Sequence, residues 1–248
     1  MSILVPSLRA AVAAAFSLFV VTVAASAQCG LQWRPGAPCG GLDGEVLAVV
    51  TLPNGDIVAG GTFLVGDSTL VKNVARYDGT TWRSLGSGCD GTVRALAVLP
   101  NGDLIAGGEF FHAGGVLTLR IARWDGTTWS PLGNGVNDTV HALTSLANGE
   151  IVAGGAFTTA GSAPANRVAR WNGSTWSAMG GGLGGTILGL TQLTTGEVIA
   201  GGNITPGFAS WNGTVWANVP GLTGGTTVHG IQAILGGLFV AIGFRCRR

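Results

Sequence analysis

The residues best suited to chemistry are three basic side chains at equivalent places in a repeated apolar segment. These are Arg94, His141 and His229, and two acids, Asp90 and Asp138, lie just upstream of the first two. Imidazole and guanidinium groups can donate hydrogen bonds to a polar ligand, and imidazole can also exchange a proton near neutral pH. The spacing therefore predicts a small-ligand site formed by these five residues. The alternative is that these side chains only end their strands and contact water.

The cysteines do not form a metal-binding pattern, because no Cys-x-x-Cys or Cys/His spacing is present. Their number is even, as in a disulfide-bonded exported chain. We predict disulfides, with Cys29 near Cys246 and Cys39 near Cys89 as the favoured pairs among three connectivities. No cofactor and no metal site is expected.

One acidic residue recurs in each of four turns: Asp56, Asp103, Glu150 and Glu197. Calcium requires six to eight oxygen ligands from several converging groups, and one acid in each separate turn does not supply them. We therefore predict that these acids are solvated turn residues.

The composition excludes several classes of function. The chain has 248 residues, of which 46% are hydrophobic, only 10% are charged and 44 are glycine, with a formal net charge of +1. A nucleic-acid-binding protein needs a strong positive field, which this chain does not have. High glycine content with low charge instead indicates many tight turns between short buried strands.

The amino-terminal residues have the pattern of a secretory signal peptide. Arg9 precedes an apolar run over Ala10–Ala25, and Ala25-Ser26-Ala27 is a small-residue cleavage site. We predict a signal peptide over residues 1–27, a mature exported domain over 28–248, and no membrane span after cleavage. An uncleaved anchor is the alternative.

Most of the mature chain consists of four copies of one unit with a period of 47 residues. Asn-Gly-acid turns begin at Asn54, Asn101 and Asn148, and Thr195-Gly196-Glu197 is the fourth. Double glycines keep the same interval at Gly60-Gly61, Gly107-Gly108, Gly154-Gly155 and Gly201-Gly202. The fourth unit has lost seven residues between its double glycine and its next strand. Such a period is the signature of a repeat architecture.

Each unit contains four predicted strands, which in the second copy are Val93–Leu99, Leu104–Gly108, Arg120–Trp124 and Thr127–Leu132. Asp-Gly between β-rich segments predicts a two-residue type I′ turn. That turn pairs Trp124 with Thr127 and places Trp124 and Trp129 as diagonal neighbours on one face. A single hairpin would leave this apolar face in water, so we expect the neighbouring unit to cover it.

Four short antiparallel strands in each 40–50-residue unit are typical of a β-propeller blade. We predict an all-β, five-bladed propeller with four complete blades and a composite fifth blade built from both termini. Trp33–Gly36 supplies the outer strand of that blade, and Val228–Leu235 and Leu238–Gly243 supply its first two strands. The closed ring would be a monomer. The alternative is an incomplete member of a larger propeller.

The double glycine after the second strand, followed by an aromatic residue and a tryptophan, resembles the kelch repeat. The resemblance extends over residues 43–243. Over this range the chain is similar to the central propeller domain of galactose oxidase and to kelch-like repeats of exported bacterial proteins. It implies a propeller fold. The unusual spacing of the aromatic pair here, five residues, departs from the kelch pattern.

The connections differ in how much they vary between copies. The first-to-second and third-to-fourth turns are nearly constant, whereas the second-to-third connections differ in sequence and length. We call the side carrying the second-to-third and fourth-to-first connections the variable face, and expect function there. We predict a secreted, non-catalytic module that binds a glycan or an extracellular protein. The alternative is an extracellular carbohydrate-active hydrolase or lyase; no nucleophile elbow or carboxylate pair is evident.

Overall fold

The computed structural model describes residues 41–205, 207–219, 228, 230–233 and 239–242, and all their regular structure is β. In these ranges no helix is long and apolar enough to cross a lipid bilayer. The predicted signal peptide, the strand at Trp33, His229 and three of the four cysteines lie outside the described residues. The remaining cysteine, Cys89, is a buried free thiol, so the prediction that it forms a disulfide with Cys39 is wrong. Burial raises the pKa of this thiol above its ordinary value.

The strands fall into units that follow the sequence period. Unit one contains β1 (Val46–Thr51), β2 (Ile57–Gly61), β3 (Val65–Gly66), β4 (Thr69–Leu70), β5 (Val74–Tyr77) and β6 (Trp82–Ser84). Unit two contains β7 (Val93–Val98), β8 (Leu104–Gly108), β9 (His112–Ala113), β10 (Val116–Leu117), β11 (Ile121–Trp124) and β12 (Trp129–Pro131). Unit three contains β13 (Val140–Ser145), β14 (Ile151–Gly155), β15 (Thr159–Ala160), β16 (Ala163–Pro164), β17 (Val168–Trp171) and β18 (Trp176–Ala178). Unit four contains β19 (Ile187–Gln192), β20 (Val198–Gly202), β21 (Phe208–Trp211) and β22 (Trp216–Asn218), and unit five contains β23 (Gly230–Ala233) and β24 (Phe239–Ile242).

Each of the first four units is a four-stranded antiparallel sheet in simple up-and-down order, such as β1-β2-β5-β6. In units one to three, the connection between the second and third sheet strands forms an additional small hairpin: β3-β4, β9-β10 and β15-β16. The strands predicted from the sequence are thus confirmed, and the small hairpins are a feature that the sequence analysis did not predict.

The sheets pack side by side through their first strands. Strands β1, β7, β13, β19 and β23 contact one another in succession, so the first strand is the inner strand of each unit. Four of the hydrophobic clusters in the described part of the chain combine residues of two consecutive units. This is the blade arrangement of a β-propeller, and the predicted fold class is confirmed. The closing of a fifth blade by the amino-terminal strand involves undescribed residues and remains a prediction.

The double glycines allow two different close approaches. A Cβ added to Gly107 would lie 2.6 Å from Cγ1 of Val140, on the inner strand of the next unit. A Cβ added to Gly108 would lie 2.0 Å from the carbonyl oxygen of Thr92, within the same unit. The same two contacts recur at the other three double glycines. The first glycine therefore permits close packing between units. The second lets the backbone that leads into the inner strand of its own unit pass close to it.

The hairpin between the third and fourth strands differs from the prediction. Trp124 pairs with Trp129, not with Thr127, so the two rings lie directly opposite each other with centroids 5.3 Å apart. The predicted type I′ turn is wrong, because it requires positive φ at Asp125 as well as Gly126, and only Gly126 has it. The Asp125 carboxylate accepts hydrogen bonds from the backbone N–H groups of Thr127 and Thr128, and the turn between the paired tryptophans has four residues instead of the predicted two.

The outer-strand tryptophans join consecutive units, as predicted. Trp129 is 5% exposed, and its indole Nε1–H donates to the carbonyl of Leu85 in the preceding unit at 2.8 Å. Trp176 makes the equivalent bond to Leu132 at 2.7 Å, and Trp216 to Met179 at 2.9 Å. A buried indole needs such a partner, so each bond fixes the position of one unit against the next.

One flank of unit one is the exception to this packing. Val49 on β1 is 59% exposed, whereas its equivalent on β7, Leu96, is 8% exposed. Ile57 is 39% exposed, and its equivalent Leu104 is 1% exposed. In units two to four the preceding unit covers this flank. Unit one therefore presents an apolar surface of the kind that the other units bury.

We predict that Gly107→Ala lowers the free energy of unfolding by about 1–3 kcal/mol, because the new methyl group overlaps Val140. Gly181→Ala is the matched control, since a Cβ there has no heavy atom within 4 Å. Urea unfolding measures both, and adding Val140→Ala to Gly107→Ala should recover part of the loss. Equal stability of the two glycine variants would contradict the packing described.

Candidate ligand-binding site

Two of the predicted site residues lie at irregularities in the inner strands. In β7, Val93 pairs with Gly108 and Ala95 with Gly107, so Arg94 between them has no partner residue on β8. His141 occupies the same position in β13. An extra residue of this kind forms a β-bulge, which turns its side chain out of the regular alternation. The bulges therefore place Arg94 and His141 at the variable-face ends of two adjacent inner strands.

Arg94 is paired with a residue that the sequence analysis missed. Its Nε donates to Oε1 of Glu109 at 2.7 Å, and the two side chains are 34% and 41% exposed. Glu109 directly follows the double glycine of unit two, where the other units have Thr62, Ala156 and Asn203. The presence of an acid at this position in only one unit was the available sequence indication. A partly exposed pair of this kind contributes little to stability, and both side chains can still contact a ligand.

His141 is half-buried and lies within the electrostatic influence of this pair. Burial of the imidazole and the positive charge of Arg94 lower the pKa of His141 below its ordinary value. The carboxylates of Glu109 and Asp138 act in the opposite direction, with smaller effect. His141 is therefore neutral at neutral pH, so that one ring nitrogen can donate a hydrogen bond and the other can accept one.

We call Arg94, Glu109, Asp138 and His141 the inner-strand cluster. Asp138 is exposed, and its Oδ1 accepts a hydrogen bond from the backbone N–H of Thr139 at 2.7 Å. The cluster combines a guanidinium, two carboxylates and a neutral imidazole on strand ends fixed by packing. It can provide hydrogen-bond donors and acceptors to a polar ligand, and its one positive and two negative charges leave it with a net negative charge.

Asp90, also predicted as a ligand-binding residue, binds the small hairpin of unit two. Its Oδ1 accepts hydrogen bonds from the backbone N–H groups of Phe111 and His112, both at 2.8 Å. Asp43 and Asn137, 47 residues to either side, bind the small hairpins of units one and three in the same way. These three residues join the two types of connection on the variable face. We call them the hairpin anchors.

His112 is exposed but not isolated. Its Nδ1 lies 2.7 Å from Oδ2 of Asp90. Burial raises the pKa of Asp90, but hydrogen bonds from the backbone and imidazole of His112 and from the backbone of Phe111 outweigh it and keep that pKa below the ordinary value. Asp90 is therefore ionised at neutral pH and holds the hairpin as a carboxylate.

The acids of the constant turns are less solvated than predicted. Asp103 is 8% exposed, and its Oδ2 accepts from Nε of Arg123 at 2.8 Å on the third strand of the same unit. Arg76 pairs with Asp56 and Arg170 with Glu150 in the same way. These arginines were not predicted from the sequence, because no single turn contains both members of a pair. Their positions, also 47 residues apart, were the available indication.

The remaining predicted site residue, His229, lies outside the described residues. Among the residues that the structure describes, no group of three His, Cys, Asp or Glu side chains is placed to bind a metal ion. The structure thus brings together Arg94, His141 and Asp138, adds Glu109, and assigns Asp90 to a hairpin. Ligand binding by these residues remains a prediction.

Comparison with known proteins supports the fold. Residues 146–174 match a family described as a domain of unknown function, DUF5122, beta-propeller. A comparison of the whole sequence with curated proteins found no match. The family match over residues 146–174 covers part of unit three, from the end of its inner strand to the hairpin between its third and fourth strands. It supports a β-propeller repeat, whereas the kelch type remains a prediction.

Solved structures are similar in fold at low sequence identity. One is the extracellular domain of a putative one-component system protein, BT4673, from B. thetaiotaomicron, with a TM-score of 0.58 and 11% identity over 84% of this chain and 27% of that chain. Another is YCF48 bound to a D1 peptide, with a TM-score of 0.51 and 16% identity over 84% of this chain and 63% of that one. A third is a catalytically inactive variant of virginiamycin B lyase from Staphylococcus aureus with quinupristin, with a TM-score of 0.53 and 12% identity over 84% of this chain and 65% of that one. This chain spans less than two thirds of each of them.

We predict that acid weakens the hairpin of unit two but not that of unit three. The ionised Asp90 contributes full stabilisation above the ordinary carboxyl pKa of 3.8, and this is lost as the pH falls through its lower folded-state pKa. Asn137 makes the same two bonds with an amide that does not titrate.

Hydrogen exchange between pH 5 and 2, expressed as protection factors, provides the measurement. Protection at Phe111 and His112 should fall, while protection at Thr158 and Thr159 stays constant. An equal loss in both hairpins would indicate general acid unfolding and contradict the role given to Asp90.

Proposed function

We propose that this protein is an exported, non-catalytic binding module whose ligand, a glycan or an extracellular protein, contacts the variable face. The observation that carries the proposal is the inner-strand cluster, in which Arg94 and His141 lie at β-bulges of adjacent inner strands and Glu109 pairs with Arg94. Sites built on rigid strands bind without a large ordering cost.

Exposed apolar side chains on the small hairpins support a macromolecular ligand. Phe111 is 47% exposed and Leu117 is 55% exposed on the hairpin of unit two, and Leu64 and Leu70 are 52% and 57% exposed on that of unit one. Arg120 lies over the Phe111 ring at 4.7 Å from its centroid. Apolar groups close to charged ones are typical of protein-binding surfaces.

The proposal also covers the cellular location of the protein, its family relationship and its oligomeric state. The predicted signal peptide supports secretion or a periplasmic or cell-surface location, and a disulfide between Cys29 and Cys246 would suit such a location. We retain a kelch-type relationship, a five-bladed ring and a monomeric state as proposals. The low net charge argues against a nucleic-acid partner.

A second candidate is an extracellular carbohydrate-active enzyme, and one observation favours it. The pKa of His141 is lowered, so its neutral imidazole is available as a general base beside two carboxylates. Binding is the better-supported function because Glu109 is paired with Arg94 and Asp138 with the Thr139 backbone. Turnover of a polysaccharide that is lost on His141→Gln would reverse this preference.

We predict that Arg94→Gln weakens ligand binding roughly 10- to 100-fold, because it removes a charge-assisted hydrogen bond worth about 1.5–3 kcal/mol. The matched control is Arg170→Gln, which removes the same charge from the constant turn side of unit three. Glycan and extracellular-protein panels screened with the full-length mature protein identify the ligand, and titration of both variants gives the affinities. Equal affinity of the two variants would place the ligand elsewhere.

A further inference from the structure

Unit four differs from the other three units in one connection of the variable face. In units one to three, twelve residues join the second and third sheet strands, as between Gly155 and Val168. In unit four only five residues join Gly202 to Phe208. The described residues of this short connection form no hairpin.

The small hairpins of units one to three cover the outer-strand tryptophans. A Cβ added to Gly114 would lie 2.8 Å from Cδ1 of the Trp129 indole, and one added to Gly66 would lie 2.9 Å from Cβ of Trp82. Strands β4, β10 and β16 contact the outer strands β6, β12 and β18. In these units the hairpin therefore lies against the outer-strand tryptophan.

The hairpin anchor of unit four is absent as well. Asp43, Asp90 and Asn137 recur every 47 residues, and the next position in the series is Gly184. Hairpin and anchor have thus been lost together. Where a hairpin lies against the tryptophan in the other units, unit four has a cavity of about 390 Å³ bordered by Trp216, Asn203, Asn218 and Gly184, with no charged residue.

The Trp216 ring, which borders this cavity, is held in place. Trp216 Nε1–H donates to the carbonyl of Met179, and the Trp211 ring lies 5.4 Å away between centroids. The indole therefore does not need to reorient when a ligand packs against it. A fixed aromatic surface of this kind lowers the ordering cost of binding.

We infer that this cavity binds a neutral sugar residue of a glycan. The C–H face of a pyranose can pack on an aromatic ring, and its hydroxyl groups can bond to amides such as those of Asn203 and Asn218, which offer both donors and acceptors. None of the residues bordering the cavity is charged, so it suits a neutral sugar better than an acidic one. Its volume lies at the lower end of the roughly 300–1,000 Å³ typical of small-molecule sites. The pocket is separate from the inner-strand cluster and does not depend on it.

The test uses the mature protein with its tryptophan side chains labelled with ¹⁵N for NMR. The probes are cellotetraose, xylotetraose, mannotetraose and N-acetylchitotetraose at millimolar concentration, with tetragalacturonic acid as the acidic comparison. At least one neutral probe should shift the Trp216 indole resonance saturably and leave that of Trp176, which lies beneath a hairpin, unchanged. A response to none of the neutral probes, or tighter binding of the acidic probe, would overturn the inference.

Variants test the residues that border the cavity. Asn203→Ala and Asn218→Ala should each weaken binding about 2- to 10-fold, the value of one hydrogen bond. Ser177→Ala, on the outer strand of unit three, is the matched control and should have no effect. Replacing residues 203–207 with residues 156–167 restores a hairpin and should abolish binding. Unchanged affinity in both asparagine variants would contradict the assignment even if the hairpin variant did not fold.

A final comparison separates this site from the inner-strand cluster. Arg94→Gln should leave the Trp216 response to the neutral probes unchanged, whatever its effect on another ligand. If Arg94→Gln removed the Trp216 response, the sugar would be bound at the inner-strand cluster and the inference would be wrong. Trp82→Phe is a further control and should also leave the Trp216 response unchanged. Trp82 borders a different cavity, of about 450 Å³, which is lined by the charged residues Asp67 and Arg83.

Discussion

The close contact between consecutive units is the constraint on which the rest of the structure depends. The first glycine of each pair lets the inner strand of the next unit approach, as Val140 approaches Gly107, and the outer tryptophan donates a hydrogen bond back to the preceding unit. One contact acts near the inner strands and the other near the outer strands, so together they set the angle between neighbouring units. Because a single unit cannot bury its own apolar surfaces, stability is shared between neighbours.

Because these two contacts hold consecutive units together, the variable face can differ between units. The second glycine of each pair permits a bulge in the inner strand, and the residue at the bulge takes no part in sheet pairing. Leucine occupies that position in units one and four, whereas Arg94 and His141 occupy it in units two and three. In the same way, the shortened connection of unit four changes the surface above Trp216 while its contact with unit three is kept. Candidate sites therefore arise where a repeat departs from its own pattern.

The sequence predicted the strands and their packing well because the period repeats the same physical requirements four times. It failed where one side chain decides the local geometry. The Asp125 carboxylate lengthens the outer turn from two residues to four, and the hydrogen bonds by which the Asp90 carboxylate anchors a hairpin were not predicted. Glu109 was missed because it is 15 residues from Arg94 in the chain and meets it only through the sheet. The seven-residue deletion was visible in the sequence, but the cavity that it opens depends on where the other hairpins lie.

The most direct test of the contact between units is hydrogen exchange at the indole N–H groups of Trp129 and Trp176, measured by NMR under native conditions. Both groups are buried and bonded to the preceding unit. They should exchange as slowly as the backbone amides at the centre of the second strands, such as that of Ala106, because opening either bond requires the two units to separate. Exchange at the rate of a free indole, with those amides still protected, would show that the units do not hold one another and would contradict the account.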